Sequence, residues 1–392
     1  MADLDIDEIK PEDIECGEQV FDIAFHPRDR FIAAGLIDGT VKLYNYNVLN
    51  ENGGNREVLS LNHHQKACRG LQFNEAGDRL FTISSDKSLQ IIDGTGNVIL
   101  NIEDAHDEAI NKCFGLYELG PDIITTGDDS GCVKIWDARL AMNTKAAVMS
   151  WQIHQDYIAG FAYSHDKQTL LSCSGDATLG VYDIRNNTTA ISDDQESEIT
   201  SLEIIKGGKK VVCGTQDGVV LIFSWGKWGD CTDRFPGHPE GIETFLKIDE
   251  STIMTGSTDG LIRVVEILPN KVLGIVGDHD NFPVECIRAS GDRKYLASIA
   301  HDDVVRFWNI DMFNEVSTDK CETFESSDEE EEGAAGEDDE MVDEDDEEEG
   351  DDEEDIEMSE DSRFSDDSSD DEGAGGSSRT MKTATEKFYS DL

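Results

Sequence analysis

Seven times between residues 38 and 309 the chain repeats one arrangement: a turn residue, often with glycine next, then alternating apolar positions, an aromatic and a polar residue. The copies are residues 38–45, 86–93, 130–137, 176–183, 217–224, 259–266 and 302–309, and their first positions lie 48, 44, 46, 41, 42 and 43 residues apart. Six begin with Asp; Ser130 is the exception. Alternation such as Val133-Lys134-Ile135-Trp136 predicts a strand with one face packed and the other more polar. Upstream stand a second apolar run, as in Leu170-Leu171-Ser172-Cys173, and a third, as in Gly160-Phe161-Ala162-Tyr163, separated by turn residues. With an outer strand in the connecting segment, each repeat supplies a small four-stranded sheet, and this period is the one expected of propeller blades. Such a sheet exposes a face it cannot bury alone. Packing seven around an axis, and closing the ring, buries those faces and removes the open end. The predicted fold is all-β, a seven-bladed β-propeller over residues 13–312.

The repeat resembles the WD40 family. Trp136-Asp137, Trp308-Asn309, Tyr44-Asn45 and Tyr182-Asp183 occupy its signature dipeptide position, and His64, His106, His154, His238 and His279 fall 21 to 24 residues before the turn residue, where the family has Gly-His. The resemblance covers roughly residues 14–310. It implies a buried network of His, strand Ser/Thr, turn Asp and Trp in each blade, with blade seven carrying the full set (His279, Ser298, Asp302, Trp308) and blade four His154, Ser172, Asp176 and Tyr182. Blades one and five lack the His and are expected to rely more on apolar packing. It also implies closure of the ring by an N-terminal strand, for which Asp13-Ile14-Glu15-Cys16 is the candidate.

Charge changes the picture at the C-terminal side. The 392 residues include 86 acidic and 32 basic ones, a formal net charge of -54. Residues 325–372 hold 30 Asp/Glu against Arg363 alone, too little apolar surface to offset chain entropy, so residues 313–372 are predicted to be a disordered acidic tail. Residues 1–12 form an acidic lead, and 373–392 a basic and aromatic terminal segment. Residues 1–324 still carry a net -26. Direct binding to nucleic-acid phosphates is disfavoured by this balance, and basic proteins are the better partners. No stretch approaches the ~20 apolar residues that span a bilayer, and the first residues have no signal-peptide pattern, which predicts a soluble intracellular protein. Nine cysteines without a C-x-x-C pair fit reduced thiols.

No catalytic constellation stands outside the repeat register, and the chain is expected not to be an enzyme. Cofactor and metal sites are not expected either. His63 and His64 with Cys68 fall short of a zinc pattern, and Gly94-Thr95-Gly96-Asn97 and Lys206-Gly207-Gly208-Lys209-Lys210 read as hairpin turns. The candidate working surfaces are the rims. Residues 192–198 replace the His-bearing loop before blade five with an acidic patch. Arg139 and Arg185 end WDxR-like runs, a pattern by which some family members dock on the adaptor of cullin-type ubiquitin ligases; the plainer reading pairs each Arg with an acidic neighbour. Ser326, Ser327, Ser368 and Ser369 each precede an acid by three residues and resemble sites for an acid-directed kinase. Phe388, Tyr389 and Leu392 make a candidate docking peptide.

The order of repeats, acidic tail and terminal aromatic segment resembles a nucleolar branch of the family associated with ribosomal RNA production. That resemblance implies a nuclear and nucleolar scaffold, with a cytoplasmic pool as a further expectation, that holds ribosome-assembly factors or ribosomal proteins. The alternatives are a substrate receptor of a cullin-type ligase and a histone-binding chaperone.

Overall fold

The computed structural model describes residues 10–47 and 54–313. All of these fall in the first of two compact units, Met1–Glu330; the second, Glu331–Leu392, lies outside the described residues, as do Ser326, Ser327, Ser368, Ser369, Phe388, Tyr389 and Leu392.

The described residues form seven antiparallel sheets of four strands, and in six of them the strands follow chain order from the axis outward. Blade one, for example, runs Val20–Phe25, Phe31–Leu36, Thr40–Asn45 and Arg56–Asn62. Blade seven takes three strands from the end of the repeat array, Val284–Ala289, Tyr295–Ala300 and Val304–Asn309, and its outer strand, Ile14–Glu15, from the beginning. Ile14 lies opposite Val305 and Glu15 opposite Val304. Further bonds extend this short pairing: the Phe307 amide donates to the Asp13 side chain at 3.1 Å, the Lys10 side chain donates to the Phe307 carbonyl at 2.7 Å, and, main chain to main chain, the Cys16 amide donates to the Asp303 carbonyl at 2.7 Å.

The expectation of one packed and one more polar face on the third strands fits blade three, where Lys134 is partly exposed between buried Val133 and Ile135, but residues 89–92, 179–182 and 220–223 are buried throughout, and the second strands are more enclosed still. Every residue of Thr169–Ser174, Thr252–Ser257 and Tyr295–Ala300 is buried. Each blade is sandwiched between two neighbours, so successive side chains enter different cores. Leu170 packs with Val133 and Ile135 of blade three, whereas Leu171 packs with Val211 and Leu221 of blade five. Seven such apolar clusters fill the seven seams, and the one between blades seven and one contains Ile14, Val20, Ile23, Val305 and Phe307.

Two local devices recur around the ring. Every inner strand carries a bulge at the same place, with the register slipping past Phe21, Arg69, Asn111, Ala159, Thr200, Glu243 and Glu285 in turn. A bulge re-aims one side chain and bends its strand, and here it sets one residue per blade near one end of the inner strands. The glycine after the turn Asp also has a positional reason. Gly39 has φ +85°, and a Cβ there would stand 2.6 Å from the carbonyl oxygens of His64 and Lys66 in the loop entering the next blade.

Ile14 is 4% exposed within the seam that closes the ring. Ile14→Ala is expected to cost ~2–4 kcal/mol by emptying that seam. Thermal unfolding should shift down by about 5 °C or more, and deletion of residues 1–15 should add aggregation. An unchanged melting temperature in both would contradict closure by this strand.

Candidate functional site

The five register histidines are all buried, and each meets a hydroxyl on the second strand of its blade. Blade three shows the relay completely. The Asp128 carboxylate can only accept, so His106 Nδ1–H donates to it at 2.9 Å; Thr126 Oγ1 then donates to His106 Nε2 at 2.7 Å and accepts from Trp136 Nε1 at 2.8 Å. Ser130, the exception among turn residues, is explained by this geometry. Asp128, two residues earlier, supplies the carboxylate and also accepts from the Ser130 and Cys132 amides. His106, Asp128 and Cys132 lie close enough to suggest a metal triad, but the His and Asp polar atoms are already engaged in these hydrogen bonds.

In blade four His154 contacts Ser172 at 2.7 Å, Thr178 at 2.9 Å and Asp176 at 3.2 Å, while Ser172 and Tyr182 share a hydrogen bond of 3.1 Å. Thr178 was not among the residues singled out. Its counterpart Ser88 meets His64 at 2.8 Å in blade two. The signal is the Asp-x-Ser/Thr spacing, seen at Asp38/Thr40, Asp86/Ser88, Asp128/Ser130 and Asp176/Thr178, which places a hydroxyl beside the turn carboxylate.

Blade seven departs from the expected set. His279 Nε2, Ser298 and Trp308 Nε1 join at 2.7 Å each, but His279 Nδ1 has no partner. Asp302 lies instead beside Arg306, at 3.7 Å. Blade six repeats the pattern: His238 reaches Thr255 at 2.8 Å, its Nδ1 is unpartnered, and Asp259 pairs with Arg263. An arginine four residues after the turn Asp draws the carboxylate away from the imidazole. Burial, with these arginines nearby, lowers both His238 and His279 to about 4. Blades one and five lack the His, and there the hydroxyl is absent too: Ala34 and Cys213 stand where the others carry Thr or Ser.

The rims carry the exposed chemistry. Arg139 is held by its own neighbour, donating to Asp137 at 3.0 and 2.7 Å, and Asp137 caps the helix Ala138–Thr144. Arg185 is exposed, and the nearby Asp183 accepts from Asn186. Within 192–198, Asp193, Asp194 and Glu196 are exposed, Ser192 and Gln195 are buried, and Glu198 accepts from Tyr157 at 3.0 Å. At the bulge ring, Arg69 donates to Asn111 at 2.5 Å, and Glu285 is hydrogen-bonded to His301. Burial, and then the neighbouring Glu285, push the Glu243 carboxyl up. The Lys206–Lys210 run forms the expected hairpin turn, with Lys206 and Lys210 donating to Ser251 and Ser224. The eight cysteines among the described residues are all free.

Comparison with known sequences agrees with this architecture. The WDR55 family profile matches residues 11–313. WD repeat-containing protein JIP5 of Coprinopsis cinerea is 40% identical, over 79% of this chain and 77% of that protein. WD repeat-containing protein 55 of Arabidopsis thaliana is 38% identical over 78% of this chain and 84% of its own length, and the protein of the same name from Homo sapiens 37% identical over 79% of each.

Two outcomes are expected. Thr126→Val keeps the shape of the side chain but leaves Trp136 Nε1–H without its acceptor and His106 Nε2 without its donor, at a cost of about 2–5 kcal/mol in denaturant unfolding; a cost below about 1 kcal/mol would show the relay to be dispensable. His238 and His279 are held neutral in the fold, whereas unfolded histidines titrate near ~6.5. Their contribution to stability is therefore complete above that value and is lost as pH falls from there towards about 4. NMR titration should show both rings neutral at pH ~5.5; ordinary titration near ~6.5 would contradict their burial.

Proposed function

The chain belongs to the WDR55 family of WD-repeat proteins, and from that premise we propose that it is a non-enzymatic nucleolar scaffold binding basic proteins during ribosomal RNA processing and ribosome biogenesis. Propellers of this class generally hold other proteins together, and their chemistry must be argued from sites on the fold. The polar clusters described above support a structural reading of the five register histidines, because each uses Nε2 on a hydroxyl inside its own blade. The observation that carries the partner class is charge. Residues 1–324 have a net -26 before the acidic stretch is added, which favours Lys/Arg-rich surfaces and slows the approach of polyanions. The ribosomal RNA and nucleolar parts rest on the resemblance to a nucleolar branch of the family.

Depletion of the protein followed by analysis of precursor ribosomal RNA tests this directly. Accumulation of unprocessed precursors is expected, together with ribosomal proteins or assembly factors among the neighbours found by proximity labelling in the nucleolus. Normal processing in depleted cells would remove the proposal.

A further inference from the structure

In each blade the turns between first and second strands, and between third and fourth, share one end of the sheet. At that end of the ring a cavity of about 620 Å³ opens among blades three to six. Phe114 and Tyr163 give it an aromatic wall, and Glu203 of the neighbouring inner strand lines it as well.

The cations in this cavity are committed elsewhere. Lys247 pairs with Glu250 at 2.6 Å. Lys167 lies 3.7 Å over the Trp225 ring and donates to the Gly208 carbonyl. Glu203, by contrast, has no cation within ion-pair distance among the described residues. Burial pushes its carboxyl up to about 7, against the weaker opposing pulls of Lys247, the Ile204 N–H, Arg288 and the Lys247 N–H. A second polar group is left over independently: the Tyr163 hydroxyl oxygen is buried and has no hydrogen-bond partner.

A half-buried carboxylate with no cation at contact distance, an unspent hydroxyl and an aromatic wall in one cavity are the complement of a single kind of side chain. We propose that this cavity receives an arginine side chain from a protein partner, with Glu203 as the counter-charge, Phe114 and Tyr163 as the surface against which the guanidinium and its aliphatic stem pack, and the Tyr163 hydroxyl as an added polar contact. Arginine fits better than lysine because its cation is planar, weakly hydrated and able to stack. This deepens the reading of the protein as a binder of basic partners and rests on it: it fixes one place on the ring where such a partner is read by contact rather than by long-range attraction.

The test uses the full chain at physiological salt, a fluorescent dodecapeptide of Arg-Gly-Gly repeats and its citrulline counterpart, which keeps the shape and removes the charge. Saturable binding of the arginine peptide is expected, at least about tenfold tighter than the citrulline peptide and at least about tenfold weakened by Glu203→Gln. Glu203→Gln should melt no lower than the parent, because it breaks no contact ion pair and removes a charge that burial already disfavours, so weakened binding would not reflect misfolding. Equal binding of the two peptides, no saturation at millimolar peptide, or unaltered arginine binding in Glu203→Gln would each overturn the proposal. Capture of purified ribosomal proteins is measured in parallel. If the full chain still captures them while the peptide result fails, the cavity proposal falls alone; if the parent captures none, the broader reading falls with it.

Discussion

Each blade is apolar on both faces, and no blade can satisfy more than one face against a single neighbour. This constraint makes the ring obligatory, since an open row of seven would leave two unpaired faces at its ends. The seam between blades seven and one is where the demand is met by residues nearly 300 positions apart, with Ile14 and Val20 packed against Val305 and Phe307. Asp22 reinforces the same place from the inner strand of blade one: its carboxylate accepts from the Leu71 amide of blade two at 2.8 Å and stands 3.4 Å from Arg288 of blade seven. One side chain thereby ties three successive blades beside the closure, where the three C-terminal strands of blade seven meet blade one through non-covalent contacts alone.

The polar groups inside the blades follow a rule of joint presence. A buried imidazole is tolerable only with a partner, and wherever a register His is present the second strand supplies Thr or Ser. Where the His is missing, in blades one and five, so is the hydroxyl. The outer ring nitrogen obeys a second competition. Asp128 and Asp176 are free to meet it because Lys134 and Gly180 follow them in the third strand, while Asp259 and Asp302 are diverted by Arg263 and Arg306. Blades six and seven thus each keep one imidazole nitrogen unpartnered, a departure confined to the two blades with an arginine at that position.

The period of 41 to 48 residues made the blade count and the outer limits of the ring legible, because every blade must repeat the same strand lengths to pack against its neighbours. The closing strand and the five histidines were legible through the family resemblance. Burial on both faces was hidden by the many Thr and Ser residues in the second strands, which read as polar positions but lie in the interior. The shift of the carboxylate from Ser130 to Asp128 and the capture of Asp302 by Arg306 depend on side-chain reach, to which spacing is blind. The bulges left no local mark either. The residues they carry range from Ala159 to Arg69 and Glu285, so no shared residue type announces them.

The same accounting changes what the acidity of the propeller means. Asp86, Asp128, Asp137, Asp176 and Asp259 all contribute to the formal charge, yet each is bound to a neighbouring His, Arg or hydroxyl within its own blade. At physiological salt a charge acts over about 8 Å, so Asp137 and Asp259, paired with Arg139 and Arg263, contribute little to the field met by an approaching protein, whereas the hydroxyls that donate to Asp86, Asp128 and Asp176 leave those charges in place inside the blades. The exposed rim carboxylates Asp193 and Glu196 remain effective, whereas burial pushes Glu203 and Glu243 near the axis towards their neutral forms. Their placement follows from the architecture: interior acids serve turns that every blade must make, whereas bulges and rim loops can change residue without disturbing a seam. Stability and partner choice are therefore carried by largely separate sets of acids, and the net charge of the chain measures the sum of both rather than the recognition surface alone.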